Sequence, residues 1–172
     1  MKTYLDQFST LHTAKMTGVK APHKAILLLT VIDLIDWGVI KSNQIELNDD
    51  LEWQFKHNWA RYVGDSALFQ PKIATPYWHM SGEPFWKLVP HSGGELTKEN
   101  MQGSPYSLTN LRTQVKYAKI DHELFELLQT EDARAKFRVL LITTYLGDTH
   151  LQKGDVLPAL IALVASTLSF AS

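Results

Sequence analysis

The chain of 172 residues contains no cysteine, which excludes disulfides and thiolate-held metals or clusters. It also lacks an excess of either charge, with 17 Lys and Arg against 18 Asp and Glu for a formal net charge of −1. Affinity for DNA would therefore have to come from a local patch of cations and helix N-termini, not from a basic whole. No Gly/Ser/Pro-rich stretch marks a second domain, and 45% hydrophobic content suffices for one sizeable core. The opening residues, Met1 to Asp6, lack the apolar segment of a secretory signal, so the cytoplasm is the expected compartment. His12, His23, His57, His79, His91, His122 and His150 include no H-E-x-x-H pair, so neither a metal site nor a cofactor is expected. A G-x-S-x-G elbow, a Walker phosphate loop and a dinucleotide fingerprint are likewise missing.

What is there is mostly helical pattern. Tyr4, Leu5, Phe8 and Leu11 recur at helical spacing before a polar turn at Thr17-Gly18. Ala21-Pro22-His23-Lys24 then opens an unbroken apolar run, Ala25 to Ile32. Proline is tolerated in the first turn of a helix because its missing N–H would be unpaired there anyway. A helix from about Pro22 to Trp37 follows, with Gly38 as its C-terminal cap. It is apolar almost all round, which predicts a central helix wrapped by others. Its mouth, with unpaired N–H groups and the positive end of the helix dipole beside His23 and Lys24, is predicted to reach the surface and suits an anion such as phosphate.

Asn48 is placed to cap a helix whose first turn holds Asp49, Asp50 and Glu52, followed by a stripe of Leu51, Phe55, Trp59, Tyr62 and Val63 up to Gly64. The acids read as a first-turn cap, and the stripe as core rather than a base-stacking platform. Residues 65–74 break both periodicities and form a loop. Pro76-Tyr77-Trp78-His79-Met80 and Pro84-Phe85-Trp86-Lys87-Leu88-Val89, either side of Ser81-Gly82-Glu83, predict an aromatic-rich β-hairpin. The stretch from Pro90 to Tyr106 is too long for an ordinary connection and is either functional or mobile. Ser107 to Val115, Asp121 to Gln129 and Glu131 to Leu146 read as helices, the last two capped by Asp121 and Thr130. The expected fold is α+β, mainly α: a helical domain around a central buried helix, over residues 1–150. Residues 151–172, uncharged from Val156 onward, are expected to form a C-terminal helix or tail packing on it. From Val156 to Ser172 there is no charged residue, but with Pro158 inside it this segment falls short of the roughly 20 apolar residues of a membrane span, so no membrane partner is expected.

Three segments together resemble a known family. They are Ala21-Pro22-His23-Lys24 with Ile26-Leu27-Leu28-Leu29, Thr75-Pro76-Tyr77-Trp78-His79-Met80 with Pro84-Phe85-Trp86-Lys87-Leu88, and Tyr117-Ala118-Lys119-Ile120-Asp121. In this order, over about residues 20–146, they resemble the sulfur-recognising domain at the N-terminus of bacterial McrA-like HNH restriction endonucleases, which binds phosphorothioate-modified DNA. The resemblance implies that His23 and Lys24 sit beside the modified phosphate, Lys24 in the place of a basic residue that is often arginine. It also implies a sulfur pocket built from an aromatic–proline pair with a small residue three positions on. Pro71 and Ala74 match that spacing, whereas the aromatic position holds Gln70, with Phe69 one residue earlier. Phosphate contacts are expected from Lys20, Lys24, Lys72 and Lys98, and base-edge contacts from the loop carrying His91 and Lys98. The family's nuclease module, with its Cys/His-supported zinc and HNH motif, has no counterpart in this sequence, so the expectation is a DNA reader that itself does no chemistry, working with a nuclease module or effector protein. Two alternatives stay open: a small metal-dependent nuclease using Asp49, Asp50 and Glu52, and a protein-interaction module docking through the uncharged C-terminal segment.

Overall fold

The apolar run after Pro22 forms α2 (His23–Asp36), the axis around which the protein is built. In the computed structural model, which describes residues 1–147, every residue from Lys24 to Ile32 is buried, as are Leu34 and Ile35. The C-terminus of α2 closes as predicted. Gly38, at φ +69°, lets its own N–H reach Ile35 O (3.0 Å) and the Val39 N–H reach Leu34 O (2.9 Å), so two otherwise orphaned carbonyls are satisfied.

Three helices pack on α2: α3 (Asp49–Tyr62), α4 (Ala74–His79) and α7 (Glu131–Leu141). The N-terminal helix α1 (Lys2–Ser9) lies on α7 and buries Tyr4 and Phe8. In α3 the Asn48 side chain accepts the Leu51 N–H at 3.0 Å, and Leu51, Phe55 and Trp59 turn inward. α5 (Leu108–Gln114) and α6 (His122–Leu127) are short. Ser107 and Thr130 cap α5 and α7 through the Asn110 and Ala133 N–H groups. Asp121 makes no such side-chain cap at α6; its carboxylate instead accepts the Tyr4 hydroxyl at 3.1 Å. The last predicted helix stops being α-helical at Leu141 and continues as a π-helical turn, Ile142–Leu146.

The predicted aromatic hairpin is not formed. Thr75 to His79 belong to α4, with Met80–Gly82 continuing as a tight 3₁₀ turn, and only Trp86–Pro90 is a strand, β4. Pro76 falls in the first turn of α4, where it costs no hydrogen bond, and the buried Ala74, Tyr77 and Trp78 share one helical face. The β4 partner is β5 (Val115–Ile120), antiparallel, with β3 (Gln44–Ile45) on the other edge in the order β3-β5-β4. Tyr77 ties α4 to this sheet: its buried hydroxyl donates to Ile45 O (2.6 Å) and accepts the Ala118 N–H (2.8 Å). The turn at Thr17-Gly18 belongs to a different hairpin, β1 (Lys15–Met16) and β2 (Val19–Lys20), which makes a separate two-stranded sheet.

The fold is α+β and mainly α. No helix among the described residues is long and apolar enough to cross a membrane. The uncharged segment 156–172 and the proposed boundary at 150 lie outside the described residues.

Candidate functional site at the mouth of α2

At the mouth of α2, Pro22 stands as N-cap and no acidic residue occupies the first turn. The hairpin leads straight into it, held at its root by the Ala21 N–H bonding Ala14 O at 2.8 Å. On the opposite side the loop 65–73 closes over the mouth. Ser66 Oγ accepts the N–H groups of Leu68 and Phe69 (3.2 Å each), which turns the chain and buries the Phe69 ring. His23 then joins loop to helix: its Nε2 lies 2.8 Å from Gln70 O, with its ring 4.7 Å from Trp59 and 5.8 Å from Phe69. Since a carbonyl only accepts, Nε2 carries the proton in this contact. Burial lowers the His23 pKa from its ordinary 6.5, with the Gln70 carbonyl opposing part of that fall, so the ring favours the neutral form.

Phe69 forms a partition between two clefts. On one side is a mainly apolar cleft of about 540 Å³ lined by Met16, Ala21, His23, Lys24, Phe69 and Pro76, with His12 and His79 at its edge. On the other is a cleft of about 780 Å³ that includes Trp59, Gly64, Phe69, Gln70 and Pro71. The predicted sulfur-pocket residues are thus neighbours without sharing one cavity: His23 and Lys24 face the first cleft, Gln70 and Pro71 the second, and Phe69 both. Ala74 is buried at the start of α4, while Gln70, Pro71 and Lys72 are exposed.

Lys24 departs from the expectation that both charges of the mouth face solvent. Its side chain is only 8% exposed and its ammonium bonds Glu83 Oε1 at 2.5 Å, with the Glu83 side chain 2% exposed. Glu83 is held in turn by the His12 backbone N–H (3.0 Å) and faces His12 Nδ1 at 3.4 Å. A buried lysine must be paired, and Glu83, delivered by the 3₁₀ turn after α4, supplies the counter-charge. The net charge that Lys24 adds at the mouth is correspondingly small.

The exposed cations near the mouth lie elsewhere. Lys20 sits on β2 with Nζ 5.2 Å from the Tyr145 ring centroid, and neither Lys20, Lys72 nor Lys98 forms an ion pair with an acid among the described residues. Burial lowers the His79 pKa, and the charges of Lys24 and of Lys98, on the loop 91–106, add to that fall. Tyr106 packs on the His79 ring at 5.5 Å. This loop is built by its own bonds: Asn100 Nδ2 donates to Glu95 O (2.8 Å), Gln102 and Gln114 exchange two bonds of 2.7 Å, and Met101 is buried. His91 stands exposed at the end of β4, lining neither cleft.

Of the three first-turn acids of α3, Asp49 and Glu52 are already engaged, while Asp50 stands exposed. Arg112 pairs with Asp49 and Glu52 at 3.0 Å each, and Glu52 also takes Lys56 at 2.6 Å.

The chain matches no family model and no curated protein. Sequence reasoning missed Glu83, placed in a turn where no periodicity signals burial, and His79, placed on a strand. The positions of Met16 and Val19 also escaped it, because strands of two residues are too short to show alternation.

Proposed function

We propose that this protein is a reader of double-stranded DNA carrying a phosphorothioate linkage, acting in the cytoplasm as the recognition module of a modification-dependent restriction system and doing no chemistry itself. The observation that carries this reading is the bond between His23 and Gln70 O. It joins two segments 47 residues apart, the anion-suited helix mouth and the loop with Phe69, Pro71 and Ala74. The combination of unpaired helix N–H groups at the mouth and apolar walls suits an anion with one soft face.

Sulfur in place of a non-bridging phosphate oxygen keeps the charge but is larger, less hydrated and a poorer hydrogen-bond acceptor. Carbon surfaces such as the Phe69 ring and the Pro71 pyrrolidine accept sulfur at little cost, whereas an oxygen against them loses its water without replacement. The extra apolar burial is worth about 1–2 kcal/mol, enough for preference but not for whole affinity. Lys20, Lys72 and Lys98 supply the sequence-independent remainder through phosphates, and the unpaired backbone N–H groups in the first turn of α2 donate at the mouth. Lys24 contributes by holding Glu83, next to the Gly82 that lines the first cleft, in place.

Paired variants test the division of labour. Pro71→Ala is expected to narrow the ratio of affinities for sulfur and oxygen duplexes while leaving oxygen-duplex binding near wild type. Lys72→Gln is expected to weaken both duplexes equally and lower the salt slope by about 1. A Pro71→Ala protein with an unchanged ratio would remove the loop from the recognition surface.

A further inference from the structure

The hairpin β1–β2 carries side chains that the core does not explain. Thr17 and Gly18 both have positive φ, +50° and +83°, the backbone of a two-residue turn whose twist matches its strands. Lys15 stands opposite Lys20, and Met16 opposite Val19. Successive side chains project from opposite faces of a strand, so one face presents two ammonium groups and the other two apolar groups. All six residues from Lys15 to Lys20 are exposed, Met16 at 47% and Val19 at 50%. Folding gains little from either face. Like charges directly opposed destabilise a ladder, apolar groups left half in water bury little, and a lone two-stranded ribbon is marginal by itself. Yet the ribbon is fixed against the site: Ala21 bonds Ala14 at its root, Lys20 lies over Tyr145, and Met16 lines the same cleft as His23. Lys15 and Lys20 have no acidic partner among the described residues.

We propose that this hairpin is a second DNA contact, a basic ribbon that enters the groove beside the phosphate held at the mouth of α2. Lys15 and Lys20 each neutralise one backbone phosphate, and Met16 and Val19 lie against the apolar parts of the groove wall. A two-stranded ribbon fits the major groove, about 12 Å wide, and the two unpaired cations match the charge of the duplex backbone. Two apolar side chains are too few for a lipid surface, which favours the duplex as occupant. This inference rests on the DNA-binding part of the proposed function and not on its sulfur part.

The test is a salt series of fluorescence-anisotropy titrations of the full chain on two otherwise identical duplexes, one with a phosphorothioate and one without. Lys15→Gln/Lys20→Gln is expected to reduce the slope of log affinity against log salt by about 2 on both duplexes, leaving the sulfur-to-oxygen ratio intact. Met16→Ser/Val19→Ser is expected to weaken both several-fold with the slope unchanged. Both variants should stay folded with thermal midpoints close to wild type, because the substituted residues are exposed and only Lys20 gives up a contact, that with the Tyr145 ring. Equal wild-type affinity for the two duplexes would end the sulfur reading while the slope still reported on the hairpin. The inference is overturned if the lysine variant keeps the wild-type slope and affinity, if the wild type binds neither duplex, or if the substitutions weaken binding only to phosphatidylserine vesicles.

Discussion

Lys24 and Glu83 are a charge pair removed from water, and such pairs respond unequally to losing one member or both. Lys24→Met leaves a buried carboxylate with only His12, its backbone N–H at 3.0 Å and its exposed ring at 3.4 Å, and is expected to cost about 3 kcal/mol in urea unfolding. Lys24→Met/Glu83→Leu, which removes both charges, is expected to recover most of that loss; a double variant no more stable than the single would show that the pair is not the source. His23 makes a pH-dependent contribution. Its folded pKa lies below the ordinary 6.5, so between the two values the unfolded chain binds more protons than the folded one. Stability therefore holds above pH 6.5 and falls as the pH drops through that window. His79, whose pKa is also lowered, adds in the same direction. His23→Gln keeps a donor for Gln70 O and should shrink the difference in urea midpoint between pH 7.5 and 5.5; an unchanged difference would remove His23 from that account.

At the scale of elements, α2 and α3 were legible in the sequence because their caps and stripes are local. Pro22 and Gly38 bracket one, Asn48 and Gly64 the other. The segment from Thr75 to Trp86 was not legible. Its aromatic density suits a strand or a buried helix equally, and what decides is the tertiary socket for Tyr77 between β3 and β5. That socket is testable: Tyr77→Phe leaves the Ile45 carbonyl and Ala118 N–H without that hydroxyl and should cost about 1–3 kcal/mol. A loss below a few tenths of a kcal/mol would mean that the hydroxyl does not hold α4 to the sheet. The loop 91–106 was equally opaque, since its order comes from Gln102–Gln114 and Asn100 bonds that composition does not announce. The candidate site was legible in its parts. The juxtaposition of His23 and Gln70 was expected only through the family resemblance, while the burial of Lys24 was hidden because its partner is 59 residues away.

Across the whole molecule, the near-neutral charge and the local cations fit together. Acids of α2 are consumed on the side facing α7, where Arg138 bonds Asp33 (3.0 Å) and Asp36 (2.8 Å) and Arg134 bonds Asp36 (2.7 Å). A second polar cluster, Asn58 with Asp33 and Thr30, locks α3 to the same helix. Lys15, Lys20, Lys72 and Lys98 have no acidic partner among the described residues, so a chain of net charge −1 still offers free cations toward the mouth end of α2. The central claim is that this mouth prefers sulfur. A calorimetric titration of the wild-type chain with two duplexes identical except for sulfur at one defined phosphate tests it most directly. The account predicts about 5- to 30-fold tighter binding of the sulfur duplex, the equivalent of about 1–2 kcal/mol; equal affinity for the two would contradict it.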